Sequence, residues 1–316
     1  MKMLENLIAR LEQELKKMYE KIEADLKKHD SLLEKFKESL DEGELTECKS
    51  LMKEISKLSQ RIEKELEEYK EAYNKSYVKY QGEKLFIRDA EFLKKYKDKI
   101  EKYEIENNFI SEISIPRGEE DIYESGDLKK LKKLKKVDIA YSAIKELTAD
   151  KFPENVEWIN AGGCMSLKNY NLKGLKNLKE VNMFWTAITE LRADKLPENV
   201  EWINALGCWK LKNYNLKGLK NLKKVNMVGT AITELIAGKF PENVEEIYAE
   251  YCKNLENYNL KGLKNLKVLN IAKSGIKKLE PEYLPNSLEK LYVDKGQDVS
   301  EIKKDPRFKK LKIEIW

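Results

Sequence analysis

The chain is 316 residues long, and 61 Lys and Arg set against 56 Asp and Glu leave a formal net charge of +5. That near-cancellation argues against a dedicated nucleic-acid binder, which concentrates positive charge on one face. No run approaches the roughly 18 apolar residues of a membrane span, and residues 1–17, MKMLENLIARLEQELKK, lack the uninterrupted apolar core of a secretory signal.

Residues 1–78 read as helix. Leu4, Leu7, Leu11, Leu15, Met18, Ile22, Leu26, Leu33, Phe36 and Leu40 recur at three- and four-residue spacing among Glu and Lys. Asp41-Glu42-Gly43 interrupts the run, and a second stripe follows at Leu51, Ile55, Leu58, Ile62, Leu66, Tyr69 and Tyr73. The pattern predicts an all-α antiparallel hairpin of proline-free helices, the longer roughly 55 Å in length at 1.5 Å per residue. Its finely mixed charges suit helix pairing, so the arm is a candidate for homodimerisation. Residues 79–99 form a junction, with a helix expected near Phe92 to Lys99 to shield the first rung of the next region.

The chain then becomes periodic. Val137, Val181, Val225 and Leu269 are equivalent, as are Pro153, Pro197 and Pro241, and Cys164, Cys208 and Cys252. Each period holds two shorter units, one reading LKNLKEVNMFWTAITEL and the other LPENVEWINALGCWKL. Residues such as 181 and 183 alternate as in a half-buried strand. After each strand comes a small side chain: Ser142, Thr186, Thr230 or Ser274 in one unit type and cysteine in the other. Such groups fill a tight interior and bond to backbone left open by a turn. Regularly recurring thiols are repeat geometry rather than a disulfide framework, and buried thiols suit a reducing compartment.

The spacing L-x-x-L-x-L-x-x-N/C resembles the leucine-rich repeats, in a bacterial style, over residues 100–316. The resemblance implies an α/β fold: a solenoid with a curved parallel sheet in a horseshoe arc, whose units bury their apolar edges by stacking. An early copy is expected at Ile100-x-x-Tyr103-x-Ile105-x-x-Asn108-x-Ile110-x-x-Ile113, with Asn108 on the ladder. Residues 114–127 are expected as a rim loop. Gly296 replaces the ladder cysteine in the last unit, Phe308-x-x-Leu311-x-Ile313-x-Ile315 reads as a closing strand, and Trp316 is expected over the end of the core.

In such a solenoid the outward side chains of the strands form one continuous concave surface. Here that surface is aromatic at its centre. Tyr141, Trp158, Phe184, Trp185 and Trp202 lie near the middle rungs, with Asn204, Tyr248, Tyr251 and Tyr292 continuing it, and aromatic anchors suit a protein interface. The expected function is therefore a non-enzymatic scaffold that binds a partner protein. Lys173, Lys176, Lys217, Lys220, Lys261 and Lys264 recur in LKGLKNLK and line up as a stripe open to anions, with Glu154, Glu157, Glu198, Glu201, Glu242 and Glu245 placed to offset it. Asn171, Asn215 and Asn259 in the NYNLKGL segments are expected to cap a convex turn.

Signals of catalysis are few. His29 is the only histidine, which removes His-based metal clusters and Ser-His-Asp chemistry. No cofactor or metal is expected, and Cys164, Cys208 and Cys252 are expected to be inert. Two alternatives stand beside the scaffold: self-assembly through the arm, and a bacterial effector. The latter rests on a resemblance to effector ubiquitin ligases that join such repeats to a helical domain with a reactive cysteine; here that role would fall to Cys48. The expected location is the cytoplasm, or secretion without a cleavable signal for an effector.

Overall fold

The computed structural model describes the backbone of residues 2–41, 45–75, 77–81 and 83–316. It divides into two compact units, Met1–Glu91 and Phe92–Trp316.

In the first unit, α1 (Lys2–Asp41) and α2 (Leu45–Lys75) pack against each other. Pairing of Lys21 with Glu65, Lys28 with Glu54 and His29 with Ser59 shows that they run antiparallel. Ile22 and Cys48 are buried, and Leu32, Leu51, Leu58 and Ile62 form a buried cluster along the seam with Phe36 and Ile55 packed against it. The expected break at Glu42-Gly43 lies outside the described residues, as do the side chains of Leu4, Leu7, Leu11, Leu40 and Tyr73. Two expected core positions are corrected: Leu26 and Leu66 are exposed, and their neighbours Asp25 and Glu65 take the seam instead. Ionic partners make this tolerable, since Arg61 Nε donates to Asp25 at 2.6 Å and Lys21 lies 2.6 Å from Glu65.

The junction holds more than a helix. Strands β1 (Tyr77–Tyr80) and β2 (Glu83–Phe86) form an antiparallel hairpin, and α3 runs from Ile87 to Tyr96. Next, β3 (Lys102–Glu106) and β4 (Phe109–Ser114) form a second antiparallel hairpin. Asn107 and Asn108 form its turn with φ of 53° and 67°, the left-handed pair a tight hairpin requires. Residues 100–113 are therefore not a repeat unit, and Asn108 is a turn residue rather than a ladder one. The apolar spacing of an alternating hairpin mimicked the motif.

From β4 onward the sheet is parallel. Its eleven strands include β3, β4 and three- or four-residue strands every 22 residues from Lys136–Asp138 to Lys290–Val293, closed by Lys312–Ile315. Val137, Ile159, Val181, Ile203, Val225, Ile247, Leu269, Leu291 and Ile313 pair in register across it. All but Ile313 are buried. On the other side of the core, Glu146–Thr148, Glu190–Arg192 and Glu234–Ile236 pair in parallel with Asn169–Asn171, Asn213–Asn215 and Asn257–Asn259. This is a leucine-rich-repeat-type α/β solenoid, with a curved and mostly parallel sheet.

Polar ladders complete the interior. Ser142, Thr186 and Thr230 meet Cys164, Cys208 and Cys252 at 3.2–3.3 Å, and each thiol donates to the carbonyl of Ile139, Met183 or Met227. In the last rung the ladder position belongs to Gln297, not Gly296. Its Nε2 reaches Ile271 O, Ser274 Oγ and Ile276 O, the longer side chain spanning a gap that glycine would leave open. Residues 114–127 are not a bare loop either. They contain α4 (Glu120–Glu124), which buries Ile122 and Tyr123. The Tyr123 hydroxyl donates to Glu146 O and accepts from Thr148 N, as Tyr214 does between Glu234 O and Ile236 N. The core ends on Ile302, in α5 (Ser300–Lys304), and Phe308. Trp316 is exposed and rests edge-on against Tyr292 rather than covering the end.

Candidate functional site

Each three-residue rung strand buries its middle side chain and turns the first and third to the open face of the sheet. First positions read Lys136, Trp158, Glu180, Trp202, Lys224 and Glu246 across adjoining strands. Third positions are mostly asparagine, and their oxygens serve the turn that comes next. Asn160, Asn182, Asn204 and Asn226 accept from the backbone N–H two residues on, at 3.0–3.3 Å. Asn204, expected on the binding surface, lies there half-buried with its oxygen engaged in this way.

After each of the seven strands from Lys136–Asp138 to Val268–Asn270 the chain passes through one left-handed residue: Tyr141, Gly163, Trp185, Gly207, Gly229, Tyr251 and Lys273, with φ between 53° and 73°. Glycine adopts this conformation freely, whereas a side chain there costs about 1–2 kcal/mol. Three rungs use glycine, so the fold does not need a side chain at this position. The aromatic residues there are nevertheless well exposed: Tyr141 52%, Trp185 46% and Tyr251 45%. Glycines seat the rings beside them. A Cβ on Gly163 would lie 2.4 Å from Tyr141 Cδ1, one on Gly207 2.1 Å from Trp185 Cδ1, and one on Gly162 2.0 Å from Phe184 Cε1. Phe184 joins Tyr141 to Trp185 by edge-on contacts of 6.0 and 5.6 Å. Two residues beyond the left-handed position, Met165 and Trp209 are also exposed.

The structure thus brings Tyr141, Phe184 and Trp185 into one ridge. The other expected residues share the face but not the cluster. Trp158 and Trp202 are half-buried on either side of Glu180, and Trp202 Nε1 is buried without a hydrogen-bond partner. The Tyr248 hydroxyl donates to Glu246 at 2.8 Å beneath Lys224, whose Nζ lies 5.0 Å from the ring centroid. Burial first, then the Glu246 carboxylate, raises the Tyr248 pKa. Tyr251 accepts from Lys273 Nζ at 2.6 Å.

The lysine stripe is exposed at all six positions. Asn171, Asn215 and Asn259 cap its turns, accepting from the backbone N–H of Lys173, Lys217 and Lys261. Carboxylates interleave with the stripe and its flank: Lys220 lies 3.3 Å from Glu198, Lys179 3.4 Å from Glu157, and Lys267 2.6 Å from Glu245. A cavity of about 250 Å³ at this edge is lined by Glu157, Asn177, Lys179, Asn199, Glu201 and Asn221, a mixed lining rather than an anion cradle.

Sequence reasoning missed two structural series. Asn177, Asn199, Asn243 and Asn265 each donate to a backbone carbonyl one rung back. Tyr170 and Tyr214 are buried in the NYN segments, where burial pushes their pKa up. The asparagines follow the rung interval and the tyrosines recur every second rung, a signal that was present but reads equally well as polar surface. Met165 and Glu180 went unnoticed as well. Burial likewise pushes up the thiols of Cys164, Cys208 and Cys252. Cys48 is buried in the hairpin. Among the described residues no group of three or more His, Cys, Asp or Glu is placed to hold a metal, and no helix is long and apolar enough to cross a membrane.

No protein-family model and no curated protein matches the chain. Several solved structures resemble it. YopM, a leucine-rich effector protein from Yersinia pestis, is 22% identical with a TM-score of 0.42, over 54% of this chain and 52% of its own. Internalin C2 from Listeria monocytogenes is 15% identical with a TM-score of 0.36, over 58% of this chain and 80% of its own. The functional domain of InlJ, also from Listeria monocytogenes and described as including a cysteine ladder, is 14% identical with a TM-score of 0.25, over 53% of this chain and 47% of its own. The chain spans about half the length of the first and the last of these.

Proposed function

We propose that the chain is a scaffold that binds a partner protein through the open face of its repeat sheet, with the ridge of Tyr141, Phe184 and Trp185 as the anchor. One observation carries this reading: bulky rings occupy left-handed positions that glycine fills in neighbouring rungs, and they stand exposed. Strain retained where the fold does not require it points to a role outside folding. Aromatic rings bury large area at low rotamer cost, which is what an interface core uses.

The neighbouring rungs supply the test. A Tyr141→Gly/Trp185→Gly variant carries at both positions the residue found at 163, 207 and 229. It is expected to melt no lower than the parent and to lose a partner that the immobilised parent retains from a cell extract. Identical retention by parent and variant overturns the reading.

A second reading, self-association through the hairpin, rests on a separate observation. Tyr19 and Leu26, one heptad apart on α1, and Met52 and Leu66, two heptads apart on α2, are all exposed. Lys21, Lys28, Glu54 and Arg61 form the ion-paired flank. Apolar residues beside a helical seam extend the core of a larger bundle. Leu26→Glu/Leu66→Glu should convert a dimer to monomer by light scattering, whereas a parent that is monomeric at high concentration ends this reading.

A further inference from the structure

The row of first-position side chains on the sheet contains a charge without a partner. Glu112 lies 3.5 Å from Lys136 in the next strand, and Glu246 lies 3.2 Å from Lys224. Glu180 differs. Its cross-strand neighbours are Trp158 on one side and Trp202 on the other, so no cation stands opposite it. The adjacent Lys179 reaches back to Glu157 at 3.4 Å. Among the described residues no Lys, Arg or His nitrogen comes within ion-pair distance of the Glu180 carboxylate.

All three side chains are half-buried on the open face. With strands about 4.8 Å apart, the two tryptophan positions are separated by roughly 10 Å, with the Glu180 position midway. A carboxylate flanked by two indoles, in a site that proteins in water usually neutralise, matches one ligand chemistry better than others. An arginine side chain is flat, stacks on indole, sheds water more readily than an ammonium, and meets a carboxylate through paired N–H donors. A neutral aromatic would leave the carboxylate unpaired, and an acidic group would be repelled.

We propose that Trp158, Glu180 and Trp202 form a subsite for one arginine side chain of the partner protein, with the guanidinium stacked on indole and hydrogen-bonded to the Glu180 carboxylate. This rests on the reading that the open face binds a protein, and it specifies the chemistry of one anchor, apart from the Tyr141–Trp185 ridge.

The probe is an end-blocked Gly-Arg-Gly tripeptide, compared with its citrulline counterpart, which keeps the shape and loses the charge. The full chain is labelled with 5-fluorotryptophan and its ¹⁹F resonances are assigned through single Trp→Phe variants. Titration to tens of millimolar is expected to shift the resonances of Trp158 and Trp202 but not that of Trp316. Citrulline should shift them at least tenfold less at equal concentration, and Glu180→Gln, close to isosteric, should weaken the arginine response about tenfold or more. Raised salt should weaken it too. The subsite is overturned by no shift at all, by equal arginine and citrulline responses, or by a Glu180→Gln protein that responds like the parent. The two proposals fail separately. A partner retained from extract equally well by the parent and Glu180→Gln, but lost with the ridge variant, overturns the arginine subsite alone. A normal arginine titration alongside identical retention by parent and ridge variant removes the ridge and leaves the subsite.

Discussion

The helical hairpin and the repeat array solve the same problem, pairing backbone groups while burying apolar surface, over different lengths of chain. In α1 and α2 every N–H beyond the first turn finds a carbonyl four residues away, so nearly all backbone pairing is local to each helix. Their seam is consequently permissive. It admits Asp25 and Glu65, with Arg61 and Lys21 as partners, beside the apolar cluster of Leu32, Leu51, Leu58 and Ile62. In the array most backbone partners lie a whole rung away, so no unit can satisfy itself. Its buried polar groups mostly bond to that backbone: the hydroxyls and thiols of the Thr–Cys ladder, the NYN tyrosines and Gln297; Glu250, buried as well, accepts from Asn270 Nδ2 at 3.1 Å. The contrast shows how a locally paired element can carry ion pairs in its seam, whereas among the described residues the stacked one buries a single carboxylate, Glu250, against an amide.

The sharpest way to break that comparison is to make equivalent cavities. Ile203→Ala, at the fully buried centre of the sheet, should cost about 3–5 kcal/mol, and Leu58→Ala in the hairpin nearer 2 kcal/mol because its seam can collapse. Denaturant unfolding read by circular dichroism measures both, and equal costs would mean the two cores are equally rigid.

Next in size are two glycines with the same φ of +67° and different surroundings. Gly207→Ala drives its Cβ into the Trp185 ring, whereas Gly229→Ala meets backbone no nearer than 3.8 Å. The first should cost about 2–3 kcal/mol and move Trp185 fluorescence; the second should cost only about 1 kcal/mol of backbone strain. A matched pair of costs would show that the ring is not seated on Gly207.

A smaller effect is tied to pH. Burial of Asp127 opposes its ionisation, but hydrogen bonds from Lys95, Tyr96 and Lys130 outweigh that and hold its pKa at about 2, against an ordinary 3.8. A carboxyl with a lowered folded-state pKa stabilises above its unfolded value and loses that contribution as pH falls through the folded one. About 1–2 kcal/mol of array stability should therefore disappear between roughly pH 4 and pH 2, and Asp127→Asn should flatten that slope. Parallel acid profiles for parent and variant would contradict the assignment. The smallest effect belongs to the exposed ion pairs: Lys223→Met, which removes the 3.4 Å contact with Glu201, should change stability by less than about 0.5 kcal/mol.

Both regions were readable in the sequence to the degree that their order is periodic. The three- and four-residue stripe located the helices, and the equivalence of Val137, Val181 and Val225 located the strands to within a residue. The candidate face came with them, because alternation around those core positions decides which side chains point outward. Reading failed where a short segment borrowed the spacing. Ile105-x-x-Asn108 resembled a rung, but two consecutive asparagines at positive φ make it a hairpin. Gly296 held the aligned ladder position while Gln297, one residue on, did the bonding.

Sequence alone established the period, the stacking of rungs and the inward or outward sense of each repeated side chain, since all three follow from apolar spacing along a single strand. Tertiary structure decided which rings lean on which glycines, which carboxylate faces indoles instead of lysine, and what closes each end of the array. Those outcomes depend on the side chain one rung over, about 22 residues away, and on backbone φ values that residue type biases without determining.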